Sequence, residues 1–176
     1  SIFVSPPMKR TSISENKDEY NGSLSEKDIS FLDVIENDSN IIFHSPPEFG
    51  KTTFLKELER RICSDSKKLK FSRLPVYIEF SEIRTNVERM KQIIRSNKKF
   101  DDSDFNANSL SRQGRLCILI DDVEFSDVKK MSIIRQYISD FPRNRYIFTS
   151  RKDNIISYGT SIDPEIVKNA ISFWID

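Results

Sequence analysis

Short apolar runs alternate along the chain with polar segments that carry a single apolar stripe. Residues 40–44, Asn-Ile-Ile-Phe-His, run straight into Ser45-Pro46-Pro47, which predicts a buried strand ended by a turn. Phe54, Leu55, Leu58 and Ile62 then share one side of a helix spanning Lys51 to Ser64. Pro75–Phe80 predicts a second strand, and Val87, Met90 and Ile94 a helix ending near Asn97. Leu116-Cys117-Ile118-Leu119-Ile120 is the most apolar run and stops at Asp121-Asp122. Val128, Met131, Ile134, Ile138 and Phe141 stripe a further helix, closed by Pro142. Arg145–Thr149 and Ile171–Ile175 complete the strands.

Upstream, Ser25-Glu26-Lys27-Asp28 has the form of a capping box, with Ile29, Leu32 and Ile35 at helical spacing to about Asn37. Residues 1–24, broken at Pro6-Pro7 and Asn21-Gly22, read as an irregular lead-in, and residues 25–176 as one core. Residues 98–114 are polar without a period and predict a loop. Strands that alternate with helices and are apolar on both faces predict an α/β fold, a parallel sheet covered by helices on each side.

Charge adds little to this frame. The 28 basic and 27 acidic side chains nearly cancel, so no global field draws the domain to nucleic acid or to an anionic membrane. Lys67-Lys68, Lys98-Lys99 and Lys129-Lys130 read as solvated pairs. No apolar run approaches the roughly 20 residues of a membrane span, and the start lacks a leader pattern, so the expected compartment is the cytoplasm. Cys63 and Cys117 read as small buried thiols, and His44, the single histidine, as a packing residue.

The chemistry is concentrated in Ser45-Pro46-Pro47-Glu48-Phe49-Gly50-Lys51-Thr52. It matches G-x-x-x-x-G-K-[ST], the phosphate-cradling Walker A pattern, except that Ser45 replaces the first glycine. A helix N-terminus offers unpaired amides and a positive dipole end, and the expected donors run from Glu48 to Thr53. Gly50 lets the backbone approach a phosphate, Lys51 brings a charge to the outer phosphates and Thr52 a hydroxyl to magnesium. Lys51 is expected to be solvated when no ligand is bound. Were Ser45 left-handed, it would cost about 1–2 kcal/mol. Asp121 ends the strongest strand as the candidate Walker B magnesium ligand, Asp122 is the candidate base toward water, and Glu124 its reserve. Arg151, after Thr149-Ser150, is placed to pair with the terminal phosphate.

In this order, Ser45–Lys56, Pro75–Phe80, Ile118–Glu124 and Ile147–Arg151 resemble the STAND class of signal-transducing P-loop ATPases, the NACHT-like and apoptotic-ATPase-like groups. The resemblance covers about residues 25–151 and implies a three-layer core with a mostly parallel five-stranded sheet in the order 2-3-1-4-5. It also implies ATP and Mg2+ as ligands, Arg151 as sensor of the γ-phosphate, and nucleotide-gated homo-oligomerisation. Separate sensor and effector domains would lie elsewhere in a larger protein, as in bacterial antiphage defence. A lid and winged-helix region are expected beyond this piece, so its own hydrolysis is expected to be weak or nil. The rival readings are a DNA-associated AAA+ loader and a degenerate P-loop scaffold that does not hydrolyse. A small GTPase fits poorly, because Ser150-Arg151-Lys152-Asp153 lacks the guanine-reading lysine.

Overall fold

The computed structural model describes residues 8–11, 31–64, 73–84, 86–97, 106–151 and 170–175; the side chains of 9–11, 31–32, 151 and 170–175 lie outside that description. In chain order the elements are β1 (Met8–Thr11), α1 (Phe31–Glu36), β2 (Asn40–Ser45), α2 (Lys51–Ser64) and β3 (Leu74–Glu79). After a 3-10 turn over Phe80–Glu82 come α3 (Val87–Arg95), α4 (Ala107–Arg112), β4 (Leu116–Val123), α5 (Val128–Asp140), β5 (Arg145–Arg151) and β6 (Ala170–Ile175).

The sheet has six strands in the order β1-β6-β2-β5-β4-β3. All neighbours are parallel except β1, which runs antiparallel to β6. Alternation along the strands splits the core in two. Leu116, Ile118 and Ile120 of β4, with Tyr146 and Phe148 of β5, meet Met90 of α3 and Ile134 of α5. Cys117, Leu119 and Ile147 point the other way, onto Phe54, Leu55 and Leu58 of α2 and Val34 of α1. The expected three layers are therefore present.

Four sequence expectations are corrected. Counting strands from β2 onward, the order is 5-1-4-3-2, not 2-3-1-4-5: β5 lies between the loop-bearing β2 and β4. Every residue from Arg145 to Ser150 is buried, which suits a strand with neighbours on both sides, while Pro75 without an amide proton suits β3 at the edge. Met8–Thr11, inside the supposed irregular lead-in, adds an edge strand. Within 98–114 the chain forms α4, started by the Asn106 side chain accepting the Asn108 amide. Only Ala107 and Ser111 of α4 are buried, so it carries no apolar stripe. Cys63 is exposed, whereas Cys117 is buried as expected. The predicted capping box at residues 25–28 lies outside the described residues.

Candidate functional site

The parallel strands deliver their C-terminal ends to one edge, where β2 runs out at Ser45 and α2 begins at Lys51. Ser45 is fully buried and extended within β2, its backbone beside that of Arg151. It therefore carries no left-handed strain, and the missing glycine costs nothing there. The tight turn falls later, with φ of 67° at Glu48 and 73° at Gly50. Nothing lies within 4 Å of a Cβ built on Gly50, so glycine is needed here for its backbone angle and not for space. Phe49 at the tip is 49% exposed.

Lys51 departs from its expectation. It is buried, and its Nζ donates to the Pro46 carbonyl at 3.0 Å and the Ser45 carbonyl at 3.4 Å. The loop thus wraps its own lysine, and Pro46 and Pro47, which have no amide hydrogen, contribute a carbonyl acceptor and cleft wall instead.

Asp121, buried on the α2 side of β4, gathers three hydroxyl donors. Thr52 Oγ1 reaches its Oδ2 at 2.6 Å, Tyr77 OH the same oxygen at 2.9 Å, and Thr149 Oγ1 its Oδ1 at 2.5 Å. Thr149 Oγ1 in turn accepts the Asp122 amide at 2.9 Å. The β4–β5 register slips between Ile120 and Val123, and Asp122 takes a φ of 54°, so β4 runs through the aspartate pair instead of ending before it.

Two clefts share Thr52, Asp121 and Asp122. One, of about 470 Å³, is completed by Pro47, Glu48, Gly50 and Lys51. The other, of about 330 Å³, is completed by Tyr77, Glu79, Phe80, Ser81, Glu124 and Lys130. Thr53 is exposed in the first turn of α2 and lines neither cleft. Arg151 is placed by its backbone only, at the end of β5. His44 is buried, and burial lowers its pKa to about 4, which suits its packing role.

Two residues of the site were not legible in the sequence. Tyr77 read as one more apolar strand position, because its hydroxyl reaches the acid tip of a neighbouring strand that the sequence does not place beside it. Lys130, read as half of a solvated pair, donates to the Phe80 carbonyl at 3.2 Å and lies 4.6 Å from the Phe80 ring centroid.

Among solved structures, the chain is similar to the Aeropyrum pernix Orc1 protein in complex with DNA, with a TM-score of 0.51 and 12% identity over 78% of this chain and 40% of that one. The fold is that of a P-loop NTPase core. C. elegans PCH-2 (TM-score 0.46, 19% identity, 79% of this chain and 36% of that one) and Pif1 helicase at forked DNA (TM-score 0.45, 12% identity, 80% and 41%) are also similar. The chain therefore spans about 40% of the length of the structures it resembles. No protein-family model matches it, and no curated protein does. None of the described helices is long and apolar enough to cross a membrane.

Proposed function

We propose that the domain binds a nucleoside triphosphate with magnesium across the β2–α2 loop and serves as an ATP-dependent switch within a larger protein. The observation that carries this reading is the convergence of Lys51, Thr52 and Asp121 on one cleft, at the N-terminus of a 14-residue helix. The donor set suits magnesium: a hydroxyl and a carboxylate, both hard oxygen ligands, 2.6 Å apart and beside the phosphate cradle. Thr52 and Asp121 would hold the ion, which would neutralise charge on the outer phosphates.

The remaining roles belong to the chain itself. The first amides of α2 and its dipole hold the phosphates, and the open space over Gly50 admits them. Lys51 exchanges two neutral carbonyl partners for a phosphate, so its binding gain is reduced by the bonds it leaves. Asp122 lines both clefts and is the base for water attack on the terminal phosphorus, with ADP as leaving group; Glu124, exposed on the lateral cleft, is its reserve. The finer assignment, adenine as the base and a STAND-type switch with Arg151 as phosphate sensor and homo-oligomeric output, rests on the sequence resemblance.

Lys51→Ala tests this reading. Affinity for ATP with magnesium, measured by calorimetry, is expected to fall by about 100-fold, the usual cost of removing one partner of a desolvated charge pair. Because Lys51 is buried, the variant should also lose roughly 1 kcal/mol of stability. Unchanged affinity in a folded variant would remove the site assignment.

A further inference from the structure

Of the three hydroxyls on Asp121, two are committed by the arrangement already described. Thr52 belongs to the phosphate loop, and Thr149 is tied at once to Asp121 and to the Asp122 amide. Tyr77 has no such second duty among the described hydrogen bonds. It arrives from the edge strand β3, where its backbone lies beside Leu119 and Glu79 is the residue beside Asp121. Both Tyr77 and Leu119 belong to the α2 side of the sheet, so the ring lies along that face and carries its hydroxyl toward the cleft. Lys56 of α2 stands 5.5 Å from the ring centroid. Phenylalanine would fill the same apolar ground; only the carboxylate has a use for the hydroxyl.

We propose that Tyr77 is a positioning residue for the divalent cation, holding Asp121 Oδ2 and neutralising part of its charge whenever magnesium is not bound. The proposal rests on the reading that Thr52 and Asp121 hold magnesium. A buried carboxylate needs donors or a cation. A fixed donor contributes most where no cation is present, because bound magnesium takes over the neutralising work. Without Tyr77, a metal-free nucleotide would meet a less compensated Asp121. Nucleotide binding then becomes more dependent on magnesium, not less.

The test is the affinity for ADP, by calorimetry, in EDTA and in saturating magnesium, for the wild-type chain and Tyr77→Phe. The variant is expected to lose about fivefold or more in EDTA and less than about twofold with magnesium. Equal losses under both conditions, or a larger loss with magnesium, would reduce Tyr77 to a packing residue and overturn the proposal. A wild-type chain that binds no nucleotide would instead overturn the reading beneath it. Should Tyr77→Phe not fold, 3-fluorotyrosine placed at position 77 keeps the ring and strengthens the donor. It should narrow the difference between the two conditions, and a widened or unchanged difference would overturn the proposal.

Discussion

The two ends of the sheet use polar side chains in opposite ways. At the end where the strands begin, arginines serve the backbone. Arg145, buried at the start of β5, donates to the carbonyls of Val34, Ile35 and Ser39, at 2.5 Å, 3.2 Å and 3.2 Å, and so closes the C-terminus of α1. Arg73 donates to the Gly114 and Arg143 carbonyls and pairs with Asp38. At the other end the side chains engage one another around one carboxylate, beside open clefts. Both described non-glycine residues of positive φ, Glu48 and Asp122, lie there. The first end spends its charges on orphan carbonyls and is structural. The second concentrates strain and unshared lone pairs where a ligand can meet them.

The largest expected effect that would break this contrast is at Arg145. Arg145→Met leaves three carbonyls without their donor and should cost about 3 kcal/mol in urea unfolding, with nucleotide affinity unchanged. A change in affinity without loss of stability would mean that the two ends are not separate. Gly114→Ala sharpens the same point. A methyl group there would lie 2.6 Å from the Arg143 Cβ and carbonyl oxygen, at a φ of 71°. A loss of about 2–3 kcal/mol is expected.

His44, near the cleft end of β2, gives a pH signature of comparable size. Its folded pKa of about 4 lies below the ordinary 6.5, so the unfolded chain takes up the proton first as pH falls. Stability from His44 is whole above pH 6.5 and is lost between there and pH 4. From pH 7 to 5 the loss should be about 2 kcal/mol, absent in His44→Gln when the two chains are compared at each pH. The smallest effect, and the only gain, is at Asp122. Asp122→Gly relieves the left-handed backbone and should add about 1 kcal/mol to thermal stability while abolishing any hydrolysis. A loss of stability there would show that the strain is compensated locally.

Much of the frame was legible because burial writes itself into spacing. The stripe of Phe54, Leu55, Leu58 and Ile62 predicted α2 to its observed limits, and the run before Asp121 predicted β4. Strand order was not legible, since strand–helix–strand patterning names the elements without saying which strands are neighbours. That β5 lies beside β2 is a property of the folded sheet, in which Arg145 to Ser150 are all buried. The α4 helix escaped because only two of its positions, Ala107 and Ser111, face the core, so no apolar stripe marks it. At the candidate site, motif chemistry pointed to Lys51, Thr52 and Asp121, and the structure gathers these three on one cleft. The motif placed the exception at Ser45, whereas the structure places the left-handed turn at Glu48 and Gly50. Tyr77 depended on the reach of one side chain across a strand pair, which no local pattern records.

The most direct measurement is a thermal-shift titration of the chain with ATP, ADP and GTP, each with magnesium. At about 100 times the dissociation constant, ligand binding stabilises a fold by ~2.7 kcal/mol, which for a domain of this size is roughly 5–10 °C. The account predicts such a shift with ATP and ADP and little with GTP. No shift with any of the three would contradict a phosphate cradle at Gly50, Lys51 and Thr52.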